Sequence, residues 1–79
     1  MLKLKIVSPE KIEFDGEVQS VLVPGTLGSF EILQNHAPII SSLEKGVVTY
    51  ETAQEKSSLD ICGGFVSVNQ NQVNLCVEL

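Results

Sequence analysis

The feature that most constrains this chain is an alternation of apolar and polar residues with a period of two. It begins at the N-terminus, where single lysines separate Leu2, Leu4 and Ile6. Successive side chains of a β-strand point to opposite faces of a sheet, so this pattern predicts a strand with one buried face. The segment 52–58 contains helix formers but is too short and too polar to anchor a helix. We therefore predict an all-β fold, a flattened two-sheet β-sandwich or barrel.

Residues that favour turns divide the chain into short segments. We predict strands at residues 2–7, 17–23, 27–33, 38–43, 46–51, 59–62, 65–68 and 73–77, with a short segment at 11–14. We predict turns or close backbone approaches at Asp15, Gly16, Pro24, Gly25, Asn35, Pro38, Gly63 and Gly64. In particular, Asp15 and Gly16 form a two-residue hairpin signal, and Gly25 after Pro24 suits the positive φ of a type II turn.

Size and charge exclude several classes of function. The 79 residues make a single domain, residues 1–79, with a modest core. Ten acidic and five basic residues give a formal net charge of −5, which disfavours binding to nucleic acid and direct binding to anionic lipid. The N-terminus lacks the apolar stretch of a signal peptide, and no segment approaches the ~20 apolar residues of a spanning helix. We expect a soluble, cytoplasmic protein.

Residues that could carry chemistry favour structural roles. The only histidine, His36, has Glu31, Ser41 and Ser42 as candidate partners, but no nucleophile motif surrounds them, so we expect no catalytic residue. The segment 25–28 carries two glycines, but neither a helix nor a lysine follows it, as a phosphate-binding loop requires. The dispersed acidic residues and single histidine predict no metal site. We expect Cys62 and Cys76, which lie in apolar runs, to be reduced and buried.

A lysine in a polar turn leaves one alternative function open. A small all-β domain could be a lipoyl or biotinyl carrier, with Lys56 as the attachment site. Such carriers present the lysine at the tip of a tight hairpin in a distinctive setting, which Glu55 and Ser57 do not supply. A free-standing ligand-binding β domain is a more distant alternative.

Three segments in register carry a resemblance to a known family. They are VSPEKIEFDGEV at residues 7–18, VPGTLGSFEILQNHAPIISSLEKGVV at 23–48 and GGFVSVNQNQV at 63–73. Together they resemble the N-terminal β-sandwich domain of the epsilon subunit of bacterial F-type ATP synthases. The most specific pieces are the Asn-His-Ala-Pro corner that begins at Asn35 and the Gly-Gly-Phe segment that begins at Gly63.

The resemblance implies a non-catalytic rotor subunit without a cofactor. In the family, this domain lies at the foot of the central stalk, where it binds the gamma subunit and rests on the membrane c-ring. It couples ion translocation to ATP synthesis or hydrolysis elsewhere in the complex, at the cytoplasmic face of the bacterial plasma membrane. Carried over by position, gamma contacts fall at Ser8, His36 and Ser41. The c-ring contact falls at Thr26, Leu27, Gly28, Ser29, Phe30 and Glu31.

The chain departs from the family pattern at three places. Glu31 stands where family members commonly have glycine, and Gln34 stands where they commonly have proline. The C-terminal helical hairpin of most relatives is absent after Leu79. In the family those helices can block rotation, and in some members they bind ATP. If the natural chain ends at Leu79, which the absence of a severed helix at Glu78 and Leu79 favours, we expect a subunit that neither binds ATP nor inhibits rotation with such helices. If the natural chain is longer, this expectation does not apply.

Overall fold

Nine strands account for the alternation in the sequence. A computed structural model describes residues 2–79, and this range contains strands but no helix. The strands are β1 (Leu2–Val7), β2 (Ile12–Val18), β3 (Ser20–Gly25), β4 (Gly28–Ile32), β5 (Ile39–Leu43), β6 (Gly46–Glu51), β7 (Lys56–Ile61), β8 (Gly63–Asn69) and β9 (Gln72–Glu78). The all-β prediction is confirmed. No helix in residues 2–79 could cross a membrane.

The strands form two layers that meet at one corner. Hydrogen bonds join them in the order β2-β1-β9-β8-β5-β3-β6-β7, and β4 also pairs with β3. Every pair is antiparallel except β1 with β9. Between β5 and β3 the register contains one pair, Gly25 with Leu43, and the sheet curls there into a half-barrel. This arrangement is the flattened two-sheet form that the sequence predicts.

Inward-facing residues of both layers form one hydrophobic core. In β1, Leu2, Leu4 and Ile6 are buried and alternate with exposed lysines, as predicted. The core cluster draws on every strand and comprises Leu2, Leu4, Ile6, Val18, Val21, Val23, Ile32, Leu43, Val48, Ile61, Val66, Val68, Val73, Leu75 and Val77, with Phe14 packed against it. Each such side chain contributes about 1.5–3 kcal/mol through burial. The core therefore holds the two layers together and fixes the loops between them.

The turn between β1 and β2 lies earlier than predicted. The prediction of a hairpin turn at Asp15 and Gly16 is wrong, because both residues pair with β1 in the middle of β2. The chain reverses instead around Pro9, which has no amide hydrogen for a sheet ladder. The Ser8 amide donates to the Lys11 carbonyl at 2.9 Å, and the Lys11 amide donates to the Ser8 hydroxyl at 3.3 Å. Pairing along the whole of β1 thus overrides a local turn preference.

The turn predicted at Pro24 and Gly25 lies two residues later. Both are the last residues of β3, and residues 26–27 form the tip of a β3–β4 hairpin. The positive φ, 128°, occurs at Gly28 and not at Gly25, so the type II turn prediction is wrong. Position 25 has room only for glycine, because an added Cβ would lie 2.7 Å from the Gly28 carbonyl oxygen and 2.9 Å from the Phe30 ring.

The remaining predicted turn residues lie where the chain bends or strands approach closely. Asn35 has a φ of 67° in the turn that follows β4, and Pro38 ends the loop before β5. Gly63 and Gly64 begin β8. A Cβ at Gly64, where φ is 146°, would overlap the carbonyl oxygen of Cys76 on β9. The close backbone approach predicted for the two glycines is confirmed at Gly64.

Several strand boundaries differ from the sequence prediction. The strand predicted at 17–23 is divided at Gln19, whose amide donates to the Glu51 carbonyl at 2.6 Å. The strand predicted at 59–62 begins three residues earlier, at Lys56. Lys56 is therefore paired within the sheet opposite Glu51 and does not lie in the polar turn.

The prediction that the two cysteines are buried is wrong. Both are free thiols with exposed side chains. Along β9, Val73, Leu75 and Val77 point inward, so the alternation turns Cys76 outward even though its neighbours are apolar. Cys62 lies at the bend between β7 and β8. Hydrophobic neighbours in the sequence do not bury a strand residue when its position in the alternation is the outer one.

Candidate functional site

The β3–β4 hairpin carries the six residues that the resemblance assigns to the c-ring contact. Five of them are exposed, namely Thr26, Leu27, Gly28, Ser29 and Glu31. Leu27, at the tip, is 104% exposed. Phe30 is half-buried and packs against the core, opposite Val23. The hairpin therefore projects five residues into solvent and anchors its base with the sixth.

Backbone contacts fix the hairpin against β5. The Thr26 amide donates to the Ser42 carbonyl at 3.2 Å, and the two hydroxyl oxygens of these residues are 3.1 Å apart. The Glu44 amide donates to the Pro24 carbonyl at 2.9 Å. Together with the close approach at Gly25, these contacts hold the tip at a fixed position relative to the core.

The loop of residues 33–38 presents His36. The His36 amide donates to the Leu33 carbonyl at 3.2 Å, and the ring Nδ1 lies 2.7 Å from the Ala37 carbonyl oxygen. A carbonyl oxygen only accepts, so Nδ1 carries the hydrogen, and in the neutral ring Nε2 is an acceptor. The ring also lies beside Phe30, with centroids 6.4 Å apart. A half-buried His36 thus offers one ring edge to a partner.

The two predicted serine contacts are less accessible than the sequence suggests. Ser8 is only 7% exposed, and its hydroxyl lies 3.0 Å from a carboxylate oxygen of Glu13. Ser41 lies opposite Val66 in the register, on the inward face of β5, and its hydroxyl donates to the Ser42 carbonyl at 3.1 Å. Both hydroxyls have hydrogen-bond partners within the chain.

The three predicted gamma contacts lie on separate elements. Ser8 follows β1, His36 lies between β4 and β5, and Ser41 lies within β5. Strands β8 and β9 separate β1 from β5. The three residues therefore do not form one pocket.

An exposed apolar surface that the sequence pattern did not reveal crosses the outer face of the sheet. We call Ile12, Val7, Cys76 and Phe65 the outer apolar row, because each is the register partner of the next across β2, β1, β9 and β8. Ile12 is 54% exposed and Phe65 is 49% exposed. Ile40, on β5, is 79% exposed on the same face. An exposed apolar surface rimmed by polar residues is typical of a protein interaction site.

A shallow cleft joins the outer apolar row to Ser8. It has a volume of about 310 Å³, and its lining includes Ser8, Pro9, Val7 and Phe65. One signal in the sequence could have indicated part of this surface. Three apolar residues in succession at 75–77 force one of them outward, because a strand buries alternate residues only.

The geometry does not assemble a reactive group around His36. Its Nδ1 faces a backbone carbonyl and not an orienting carboxylate. The glycines at 25 and 28 close a β-hairpin that leads into a strand and not into a helix. Within residues 2–79, the side chains that commonly bind metals form no group of three or more that could hold an ion.

The position of Lys56 does not support the carrier alternative. Lys56 is the first residue of β7 and pairs with Glu51, while the tip of that hairpin lies at Ala53 and Gln54. The Thr52 hydroxyl accepts hydrogen bonds from the amides of Gln54 and Glu55, at 3.3 and 3.1 Å, and closes the turn. The attachment lysine of a carrier would stand at such a tip, so this alternative is not supported.

The chain matches a known protein family along its length. Residues 1–79 match the family described as ATP synthase, Delta/Epsilon chain, beta-sandwich domain. The chain is 39% identical to the ATP synthase epsilon chain of Leptospira interrogans over 77 residues, and 36% identical to that of Synechocystis over 77 residues. It is 42% identical to the ATP synthase epsilon chain of Chlorobium limicola over 77 residues.

The chain spans only part of most of these relatives. The matches cover 98% of this chain and 61% of the Leptospira protein, 98% and 57% for Synechocystis, and 96% and 88% for Chlorobium. A chain in the Euglena gracilis mitochondrial ATP synthase structure, described as OSCP/F1/c-ring, superposes with a TM-score of 0.90 at 22% identity, covering 96% of this chain and 49% of that one. A chain in the Tetrahymena thermophila central stalk/c-ring structure gives 0.83 at 17% identity, covering 99% and 63%. At these identities, the two structures show a shared fold.

Proposed function

Because the chain belongs to the beta-sandwich domain family of ATP synthase delta and epsilon chains, we propose that it is a non-catalytic rotor subunit that links the gamma subunit to the c-ring. The observation that carries this proposal is the match along residues 1–79 to that family. In this position the subunit couples ion translocation to ATP synthesis or hydrolysis in other subunits. It is a peripheral component at the cytoplasmic face of the bacterial membrane.

The β3–β4 hairpin is the element that meets the c-ring. A part that transmits torque must not yield under load, and this hairpin is fixed to β5 by backbone hydrogen bonds. Its five exposed residues form a narrow projecting surface with Leu27 at the tip and Glu31 on one arm. Glu31 gives this surface an acidic group, which would complement a basic side chain on a facing loop.

The gamma subunit covers the surface that includes His36 and the cleft beside Ser8. Ser8 itself is nearly buried, so a partner that reaches it also covers the cleft and the adjacent Val7 and Phe65. Protein interfaces combine an apolar centre with a polar rim. The outer apolar row supplies such a centre, and His36, in the loop tied to the turn at the other end of β8 and β9, supplies a polar group at the rim.

A cysteine cross-link within the assembled ATP synthase tests the c-ring contact. Cys62 and Cys76 are exposed, so both are first replaced by serine to remove background reaction. We expect Ser29→Cys in this background to form an adduct with a c subunit when treated with a short bifunctional thiol reagent, after a cysteine is placed in the c-subunit loop. The measurement is the mass of the adduct on a denaturing gel, followed by mass spectrometry.

Ser58→Cys is the matched control, because Ser58 is also an exposed serine on a strand but lies on β7, away from the hairpin. A c-subunit adduct from position 29 and not from position 58 supports the proposal. Equal yields from both positions, or an adduct from neither, contradict it.

A further inference from the structure

Two asparagines far apart in the sequence join two loops at one end of the molecule. The Asn35 amide donates to the Asn71 side-chain oxygen Oδ1 at 2.6 Å, and Asn71 Nδ2 lies 3.3 Å from Asn35 Oδ1. The pair connects the 33–38 loop to the turn between β8 and β9. We call this pair the asparagine latch. It is a long-range contact made by side chains and separate from the strand pairing.

The two ends of the latch differ in how firmly they are held. Asn71 belongs to a turn with φ values of 50° at Gln70 and 61° at Asn71, and its carbonyl accepts from the Lys3 amide at 2.9 Å. The turn is therefore tied to both β9 and β1. By contrast, five of the six residues of the 33–38 loop are exposed, namely Leu33, Gln34, Asn35, Ala37 and Pro38. The latch thus connects a fixed turn to a loop with little buried surface.

His36 directly follows the latched residue. Its two hydrogen bonds, to the Leu33 and Ala37 carbonyls, are local and would move with the loop. The latch instead connects the loop to the β8–β9 turn, because the Asn35 amide, one residue before His36, donates to the Asn71 side chain. Asparagine accepts the left-handed φ of 67° at position 35 more readily than most residues, so this conformation costs little.

We propose that Asn71 is a positioning residue for the gamma contact, which acts through the latch to hold His36 in its binding orientation. The inference rests on the proposed function, since it assumes that His36 contacts the gamma subunit. When a loop samples several orientations, only the molecules in the binding-competent orientation can bind. The apparent affinity is then lowered in proportion to the fraction of such molecules. The latch raises that fraction before the partner arrives.

The test measures the affinity of the 79-residue chain for the gamma subunit of the same organism by isothermal titration calorimetry. Asn71→Gly removes the side chain but suits the left-handed backbone, so the turn is kept. We expect it to weaken binding about 3- to 10-fold, the effect of losing roughly one net hydrogen bond. In a His36→Ala background the same substitution should have no further effect, because Asn71 acts only through His36. Asn71→Asp keeps the acceptor for the Asn35 amide and should restore most of the affinity.

Gln70→Gly is the matched control, because Gln70 lies in the same turn with positive φ and takes no part in the latch. Hydrogen exchange of the Asn35 amide in the free chain, followed by NMR, reports on the latch without the partner. We expect Asn71→Gly to speed that exchange and Gln70→Gly to leave it unchanged. If Gln70→Gly weakens gamma binding as much as Asn71→Gly does, the proposal is wrong.

The remaining outcomes separate the two proposals. If His36→Ala weakens binding and Asn71→Gly does not, the positioning role is wrong while the gamma contact stands. If Asn71→Gly weakens binding equally in the His36→Ala background, Asn71 does not act through His36 and the inference is overturned. If neither substitution changes the affinity, the gamma contact at His36 fails and the positioning role fails with it.

Discussion

The β3–β4 hairpin and the 33–38 loop are neighbours in the sequence, yet the structure holds them by different means. The hairpin is fixed by backbone hydrogen bonds to β5 and by the close approach of Gly25 to Gly28. The loop is exposed and is tied to the β8–β9 turn by a hydrogen bond from the Asn35 amide to the Asn71 side chain and by a second bond between the two side chains. The hairpin position therefore depends on the fold, while the loop position depends on a pair of replaceable side chains.

This difference matters for the proposed role of each region. A region that rests on a rotating ring should keep its position under load. Hydrogen bonds made by the backbone itself provide such a fixed position. A surface that docks a partner once, during assembly, can depend on weaker side-chain contacts. The difference also predicts how the two regions respond to substitution, and it is sharpest where they meet, at Ile32 and Leu33.

Replacing each of these two adjacent residues separately by alanine should give the largest difference in stability between the two regions. Ile32 is the last residue of β4 and is fully buried, whereas Leu33 begins the loop and is 50% exposed. We expect Ile32→Ala to lower the free energy of unfolding by about 2–5 kcal/mol, through lost burial and the cavity left behind. Leu33→Ala should change it by no more than about 0.5 kcal/mol. Urea denaturation measures both, and similar losses at the two positions would refute the boundary drawn between hairpin and loop.

A steric change next to the hairpin tip should have a smaller but clear effect. At Gly25 an added methyl group would lie 2.7 Å from the Gly28 carbonyl oxygen and 2.9 Å from the Phe30 ring, which is packed on the core. We expect Gly25→Ala to destabilise the fold by about 1–3 kcal/mol, as overpacking commonly does. Ser29→Ala, on the exposed side of the same hairpin, is the control and should be nearly neutral. A neutral Gly25→Ala would mean that backbone shape does not limit this hairpin.

The sequence predicts the strands well because each strand records its own burial pattern. The alternation at Leu2, Leu4 and Ile6 correctly identifies the inward face of β1. The prediction fails at Asp15 and Gly16, where a strong local turn signal lies within β2 and the pairing with β1 decides the conformation. Local preference is a weak guide where a long-range pairing competes with it.

The candidate site depends more on long-range order, which the sequence does not record. The outer apolar row exists only because β1 lies parallel to β9, which places Val7 beside Cys76. The asparagine latch likewise joins residues 36 positions apart. The hairpin at 26–31 is predicted as a contact through the family resemblance, whereas its exposure follows from the pairing of β3 with β4. The surfaces that the sequence does not reveal are those assembled from several strands.

The smallest effect is expected where the hairpin uses a side-chain contact of the kind found in the loop. The hydroxyl oxygens of Thr26 and Ser42 are 3.1 Å apart and exposed, beside a backbone bond between the same two residues. Thr26→Val removes one hydroxyl at nearly constant shape, and Ser42→Ala removes the other. A double-mutant cycle of unfolding free energies should give a coupling of about 0.5–1 kcal/mol, the net value of one hydrogen bond, with each single variant still folded. Because the backbone bond remains, the Thr26→Val hairpin should keep its amide exchange protection at position 26. A loss of that protection would mean that the hydroxyl pair, and not the backbone, holds the hairpin, and the contrast with the 33–38 loop would then disappear.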